Sequence, residues 1–269
     1  MAIGAGIFLS FVVLGLAAPF ITPADPTAMN LSIALQPSSA EHPLGTDELG
    51  RDLLSRVLVG TRISLVLGVG ATIVAGIVGT LVGLAAGYYR GRLGSLLMRI
   101  TDLLLVFPAI LLAILLLAIA GSGLTNLLIA IGIAATPSYA RLVRASTLAI
   151  VTQEFVTAAR AIGAGDLRIM LLHVLPNAVP TVIVNSTFLI PRAIRDASTL
   201  SFLGIGIAPP TPEWGAMLAT GKNYLQNAPH LSIAPGLALL VVVVGINLFG
   251  DGLRDLLDPR TVTRLSAKR

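Results

Sequence analysis

Long apolar runs separated by short polar segments dominate the chain. A bilayer core about 30 Å thick is crossed by roughly 20 apolar residues in a helix. Six stretches reach that length if one that contains charged residues is included. The sequence therefore predicts an all-α integral membrane protein with six transmembrane helices. Their predicted positions are 3–21 and about 63–89, 99–120, 124–143, 178–207 and 231–250.

Two details of the apolar pattern support this number of spans. The uncharged run between Asp102 and Arg141 is too long for one span, and Gly121, Ser122 and Gly123 supply residues for a turn within it. No basic residue precedes the first stretch, so it lacks the charged start of a signal peptide. We expect an uncleaved first span.

The composition makes lipid the main solvent of the chain. Hydrophobic residues form 55% of the sequence and charged residues 12%, and the mean hydropathy is +0.90. A water-soluble domain of this size needs more polar surface. The absence of cysteine excludes disulfides and thiolate metal sites, and basic residues scattered among few aromatics argue against a nucleic-acid partner.

Motifs of common enzyme classes are missing from the sequence. Neither Gly-x-Ser-x-Gly nor His-Glu-x-x-His occurs, so we do not expect an enzyme. The phosphate-binding pattern Gly-x4-Gly-Lys-Ser/Thr is also absent, because Gly221 and Lys222 are followed by Asn223. The chain is expected to hold no cofactor or metal and to bind no nucleotide itself.

The basic residues predict the orientation in the membrane, because Lys and Arg accumulate in cytoplasmic loops. With the N-terminus inside, the inner segments hold Arg90, Arg92, Arg99, Arg141, Arg144, Arg160, Arg168, Arg254, Arg260, Arg264, Lys268 and Arg269, and the outer segments hold Arg51, Arg56, Arg62 and Lys222. Both termini are therefore predicted to be cytoplasmic. The predicted regions are a first span with an external segment (1–62), a transmembrane core (63–255) and a cytoplasmic tail (256–269).

The longest inner loop, residues 152–177, predicts a helix, a glycine turn and a second helix. Apolar residues recur at helical spacing from Phe155 to Ile162, and Gly163 and Gly165 end that helix. Asp166 is a plausible N-cap for the second helix, and a proline at 176 is expected to stop it. An amphipathic hairpin lying on the membrane surface is the alternative interpretation.

The spacing of this loop resembles the cytoplasmic "EAA" loop of importer permeases. Two alanines precede a glycine, a distant Leu-Pro closes the motif, and His-x-Leu-Pro-Asn is its peptide-permease form. The resemblance implies a coupling helix that docks on an ATPase subunit through Glu154, Thr157, Ala158, Ala159, Arg160, Gly163, Asp166, His173, Leu175, Pro176 and Asn177. Thr157 stands where the motif has glutamate, and Glu154 lies one turn earlier.

Further segments extend the resemblance over nearly all of residues 37–260. They are 42–56 (HPLGTDELGRDLLSR), 200–206 (LSFLGIG), 209–215 (PPTPEWG) and 250–260 (GDGLRDLLDPR). Together they resemble the C-type permease of dipeptide, oligopeptide and nickel ABC importers. Taken alone, residues 46–52 are equally consistent with an exposed acidic turn and residues 204–206 with a helix C-terminus.

This family resemblance implies a fold and a set of partners. The fold is the type I ABC importer permease, with the coupling helix between spans four and five, in the bacterial inner membrane. The partners are a homologous second permease, two ATPase domains that hold ATP and Mg²⁺, an extracytoplasmic binding protein and a peptide cargo. Nickel or metal chelates and haem are alternative cargoes, and an ATPase-independent channel or secondary transporter is the alternative class.

Charged residues in span five are the candidates for the translocation pathway, because charges facing lipid are costly. A polar face with Asn185, Ser186, Arg192, Arg195, Asp196 and Ser198 is expected to line a path for a zwitterionic peptide. Arg192 and Asp196 are four residues apart, so simple charge balance along the helix is an equal alternative.

Two other features complete the predicted surfaces. Gly79, Gly83 and Gly87 recur every four residues in span two and predict close packing of another helix. The outer segment from 208 to 232 is expected to contact a binding protein through Trp214, Lys222 and Tyr224. An aromatic anchor at the membrane interface explains the tryptophan nearly as well.

Overall fold

The protein is a bundle of long helices, described for residues 2–257 by a computed structural model. Its helices are α1 (Ala2–Ile21), α2 (Leu53–Tyr88), α3 (Arg92–Val106), α4 (Ala109–Ala120), α5 (Leu124–Ile150), α6 (Glu154–Ala161), α7 (Asp166–Ile169), α8 (Leu175–Phe202), α9 (Trp214–Gly221) and α10 (His230–Leu257). A π-helical segment, Met170–Val174, joins α7 to α8. Arg260, Arg264, Lys268 and Arg269, and with them the predicted tail from residue 258 on, lie outside the described residues.

Five helical segments are long and apolar enough to cross a membrane, or six if one bent pair of helices is counted as a single span. The third predicted span is that pair: α3 and α4 meet at 93° instead of forming one straight helix. Pro108 explains the break, because proline lacks an amide donor and restricts Phe107 to the extended backbone that it adopts.

The second span is much longer than the sequence indicated. It was predicted to start near 63, but α2 begins at Leu53 and has 36 residues, about 54 Å at 1.5 Å per residue. The Asp52 carboxylate starts the helix by accepting a hydrogen bond from the Ser55 amide, 2.7 Å away. The helix therefore extends well beyond a hydrocarbon core about 30 Å thick.

The predicted glycine face of the second span is confirmed as a packing surface. A Cβ placed on Gly79, Gly83 or Gly87 would lie within 2.6 to 2.8 Å of the Cβ atoms of Tyr139, Val143 and Thr147 respectively. These numbers rise together along α2 and α5, so the two helices run in the same direction. Only glycine permits backbones to approach this closely.

The fifth span differs from its prediction at both ends. The helix does not stop at Pro176 but runs from Asp166 to Phe202. The π-helical segment ends at Val174, which places Pro176 in the first turn of α8, where no amide donor is required. At the other end, Gly204 has a φ of +80° and the helix ends at Phe202, not Ile207.

The long helices bring the polar parts of the chain to opposite ends of the bundle. α2 begins beside Pro210, whose carbonyl accepts from Arg56 Nη1 at 3.4 Å. It ends beside Asp166, whose carboxylate accepts from the Tyr88 hydroxyl at 2.7 Å. We call residues 22–56 and 203–230 the motif end, and residues 88–92 and 150–175 the loop end.

Candidate functional site

The predicted coupling loop is a folded unit packed on the loop end of α2 and α5. One side of α6 and α7 is buried, and its apolar residues form a small core with the end of α2. The members of this core are Leu84, Tyr88, Val151, Val156, Ala159, Ile169, Met170 and Val174. The helix–turn–helix prediction is confirmed, and its turn is anchored to the transmembrane helices on one side.

The turn between α6 and α7 depends on Gly163. Its φ of +83° lies in the left-handed region that favours glycine, and α6 ends two residues earlier at Ala161. A Cβ at Gly163 would meet no atom within 4 Å. Asp166 is the first residue of α7 rather than its N-cap, since Gly165 holds the cap position without a side chain.

The exposed side of the loop contains part of the predicted coupling set. Glu154, Thr157 and Ala158 are exposed on one face of α6. Ala159 is only 4% exposed and packs into its own subunit, so it cannot contact a partner. The two motif alanines face different ways because adjacent helical residues are about 100° apart.

Sequence reasoning missed two apolar side chains at the tip of the loop. Ile162 is 87% exposed and Leu167 is 64% exposed, on either side of the turn at Gly163. Their signal is present in the sequence as apolar residues beside a glycine turn, but helical spacing alone does not show which of these residues are exposed. Exposed apolar residues at a loop tip are typical of a docking surface.

The closing part of the motif joins the loop to α8. Asn177 Nδ2 donates to the His173 carbonyl at 2.7 Å, one turn earlier in the chain. His173 and Leu175 are half-buried, whereas Pro176 is exposed. Arg160 is exposed, and its guanidinium carbon lies 5.4 Å from the centroid of the Tyr88 ring. These residues shape the loop more than they extend its outer surface.

The polar face of α8 lines a groove made of two adjoining pockets that share Arg192: one against α4 and α5 contains Asp196, and one against α5 contains Asn185. Arg192 Nε lies 3.7 Å from Asp196 Oδ2, and the side chains are 48% and 28% exposed. Asn185 lies on the same face of α8, and Ser138 and Tyr139 from α5 complete the lining. The predicted Arg192–Asp196 pair is confirmed, and α5 contributes polar groups that the sequence prediction did not include.

The other predicted pathway residues lie elsewhere. Ser186 is hydrogen-bonded to the Tyr139 hydroxyl at 2.8 Å, between the helices. Ser198 is 4% exposed and donates to Glu213 Oε1 at 3.2 Å. Ser198 cannot share the groove with Asp196, because two residues along a helix rotate the side chain by about 200°. Arg195 is exposed on the surface of α8.

The predicted binding-protein contacts at the motif end are only partly at the surface. Trp214 is fully buried, its Nε1 donates to the Val57 carbonyl at 3.1 Å, and its ring meets Phe11 edge to face. The prediction of a partner contact at Trp214 is therefore wrong, and it is not an interface anchor either. Lys222 is exposed, with Nζ 4.8 Å from the Phe202 ring centroid, and Tyr224 is half-buried.

Residues 46–52, which taken alone are consistent with an exposed acidic turn, form a buried ion network with Arg56. Asp47 Oδ2 lies 2.6 Å from Arg51 Nε and 3.2 Å from Arg56 Nε. Arg51 also reaches Glu48 at 2.9 Å, and Arg56 Nη1 donates to the Pro26 carbonyl at 2.8 Å. Asp47 and both arginines are at most 5% exposed. The network ties the segment before α2 to the start of that helix.

The structure combines apolar helices long enough to cross a membrane with a polar groove and a helix–turn–helix packed on the helix ends. Together these features define a membrane transport subunit. The chain belongs to the family of binding-protein-dependent transport system inner membrane components, whose model matches residues 79–263. It is thus a permease subunit of an ABC importer and not itself an enzyme. The predicted family resemblance is confirmed.

Named relatives and a solved structure agree with this assignment. The chain is 46% identical over 266 residues to the di/tripeptide transport system permease protein DppC of Pseudomonas aeruginosa, covering 96% of this chain and 88% of that one. It is 44% identical to the glutathione transport system permease protein GsiD of Pectobacterium atrosepticum, covering 97% and 87%.

A solved chain of the MetNI methionine ABC transporter in inward facing conformations matches with a TM-score of 0.58 and 20% identity. It covers 76% of this chain and 96% of that one. This likeness confirms the predicted type I permease fold.

Proposed function

We propose that this chain forms half of the translocation pathway of an ABC importer for dipeptides or oligopeptides. A homologous second permease supplies the other half, two ATPase domains hydrolyse ATP with Mg²⁺, and an extracytoplasmic binding protein delivers the cargo. The observation that carries the proposal is the coupling loop: a turn with an exposed apolar tip, anchored on its inner side to the transmembrane helices. The relatives named for di/tripeptide and glutathione transport support a peptide cargo.

The loop end is proposed to face the cytoplasm, with both termini on the same side. Support comes from the basic residues, which are frequent in the loops at that end and rare at the motif end. The cysteine-free sequence allows a direct test with single cysteines at Ile162 and at the exposed Glu41. In intact cells an impermeant maleimide should label Glu41→Cys alone, and the reverse pattern would contradict the orientation.

Docking of the ATPase is proposed to involve the exposed face of α6 and the tip of the turn. Gly163→Asp tests this, because the new side chain meets nothing within the subunit and aspartate tolerates positive φ better than most residues. An unpaired carboxylate buried at an interface costs about 2 kcal/mol or more, roughly thirtyfold in affinity. Co-purification of the ATPase with the permease should therefore be lost.

The sequence offers a closely matched control at Gly204. It has a φ of +80° and no atom within 4 Å of a built Cβ. The hydrogen bonds also match: the Gly204 and Ile205 amides donate to the Ser201 and Leu200 carbonyls, as the Gly163 and Ala164 amides donate to those of Arg160 and Ala159. Gly204→Asp carries the same backbone strain at the motif end and should retain the ATPase. Equal co-purification of the two variants would refute docking at the turn, and an ATPase-independent transporter would then be favoured.

The groove residues Asn185, Arg192 and Asp196 are proposed to line the path of a zwitterionic peptide. Hydrogen bonds to charged groups contribute about 1.5–3 kcal/mol, so Asp196→Asn should reduce peptide uptake by roughly tenfold or more. Asp102→Asn is the control, because Asp102 pairs with Arg141 at 2.7 Å outside the groove. Both complexes should still hydrolyse ATP. Uptake that Asp196→Asn leaves unchanged would mean that the pair only balances charge.

Contact with the binding protein is proposed at the motif end through exposed residues such as Lys222, with Tyr224 beside it. Trp214 is left out because it is buried. Lys222→Glu should weaken binding of the loaded binding protein to the purified complex, measured by its stimulation of ATP hydrolysis. If ATP hydrolysis by the variant is stimulated at the same binding-protein concentration as in the wild type, the contact lies in another part of the motif end.

A further inference from the structure

Tyr88, at the last position of α2, touches both halves of the coupling loop. Its hydroxyl donates to Asp166 Oδ1 at 2.7 Å, at the start of α7. Its ring faces the Arg160 guanidinium of α6, with 5.4 Å from the guanidinium carbon to the ring centroid. The side chain is 7% exposed. One residue of a transmembrane helix therefore contacts the loop on both sides of the Gly163 turn.

The covalent link from the loop to α8 is mechanically different. Between α7 and α8 the helix passes through the π-helical segment Met170–Val174, and Pro180 removes an amide donor from the second turn of α8. Irregular turns and missing hydrogen bonds make a helix easier to bend at that point. By contrast, α2 continues without proline for all 36 residues.

We propose that Tyr88 is a positioning residue that couples the loop to α2, so that α2 as well as α8 transmits the ATP-driven movement. The inference rests on the proposed function of the loop. At its other end α2 is held by the Asp52 cap and by Arg56, which contacts Pro26 and Pro210. A displacement of the loop thus reaches the motif end through a single unbroken helix.

The Tyr88–Asp166 hydrogen bond can be removed without removing packing. Tyr88→Phe keeps the ring and its contact with Arg160, and Asp166→Ala removes the acceptor. Asp166 is exposed, so in Tyr88→Phe water replaces the lost hydroxyl donor and the subunit should fold normally. Tyr89→Phe is the control, since the Tyr89 hydroxyl makes no hydrogen bond within residues 2–257 and its ring still meets Tyr88.

The measurement is peptide imported per ATP hydrolysed by the full complex in proteoliposomes. Loss of one ordinary hydrogen bond changes an equilibrium by about fivefold, so Tyr88→Phe and Asp166→Ala should each lower this ratio by about that factor. The double variant should fall no further than either single variant, because both remove the same bond. Tyr89→Phe should match the wild type.

Three results would overturn the coupling role of Tyr88. An unchanged ratio in Tyr88→Phe would show that α2 is not driven through this contact. Additive losses in the double variant would show that the two residues act separately. Loss of the ATPase subunits from the Tyr88→Phe complex would assign the residue to docking instead. The docking proposal itself is decided by Gly163→Asp, so the two can fail independently.

Discussion

The buried ion network at the motif end gives a quantitative prediction for Asp47→Ala. Asp47 accepts hydrogen bonds from the Leu49 and Arg51 amides at 2.9 and 3.0 Å, in addition to its contacts with two guanidinium groups. The substitution leaves Arg56 with the carbonyls of Pro26 and Pro210 as its remaining partners. A buried positive charge then loses its neighbouring carboxylate.

The size of the effect follows from burial. Removing one partner of a buried ion pair costs about 3–5 kcal/mol. Because Arg51 keeps Glu48 at 2.9 Å, we expect the lower value, about 3 kcal/mol. At roughly 2–4 °C per kcal/mol for a chain of this size, the melting temperature should fall by roughly 6–12 °C. The exposed Asp102–Arg141 pair, with side chains 51% and 55% exposed, should contribute about 0–1 kcal/mol.

The assay uses the single tryptophan of the chain as the reporter. Trp214 is fully buried at the same end of the bundle, so its fluorescence changes when the motif end unfolds. Melting of the purified protein in detergent is compared for the wild type, Asp47→Ala and the control Asp102→Ala. If Asp47→Ala melts within about 2 °C of Asp102→Ala, the network does not stabilise the fold as argued.

Two further predictions concern packing. Gly83→Ala places a Cβ 2.5 Å from the Ala140 carbonyl oxygen and should destabilise the fold by about 1–3 kcal/mol. The control Gly6→Ala has no atom within 4 Å of its new Cβ and should not destabilise the fold. Equal melting temperatures of the two variants would refute the close approach of α2 and α5. Trp214→Ala should lower the free energy of unfolding by about 3–5 kcal/mol and lower the yield of folded protein measured by size-exclusion chromatography. Lys222→Ala should leave that yield unchanged. A fully folded Trp214→Ala variant would contradict the place of Trp214 in the core.

Apolar length and glycine spacing carried most of the fold prediction. A run of some 20 apolar residues has few structural interpretations, and glycines four residues apart on one helix favour close packing. The misplaced boundaries involve proline, charge or, at the end of the fifth span, the glycine at 204. Pro108 breaks a span while Pro176 does not, because the effect of proline depends on which amide the local turn requires. That requirement is set by the π-helical segment, which composition does not reveal.

Side-chain direction limited the prediction of the coupling loop. The loop was recognised by its motif, but the motif alanines at 158 and 159 turned out to face different sides. Which face of α6 is buried depends on contacts with Tyr88 and Leu84, more than 65 positions earlier in the chain. Tyr88 itself offered no pattern in the sequence, since a tyrosine at the end of a span is common at a membrane interface.

The wrong predictions at the motif end share one physical cause. Trp214 looked like a surface residue, and residues 46–52 read alone looked like an exposed turn, because polar and aromatic residues between apolar spans usually meet water. Yet the segments outside the spans form a compact layer in which ion pairs and capped helix ends are buried beside the apolar cluster around Trp214. Hydropathy distinguishes segments in lipid from segments in water, but it does not show which residues within such a layer are exposed and which are buried. Partner contacts at this end should therefore be sought among residues that the network leaves outside, and Lys222 is one of them.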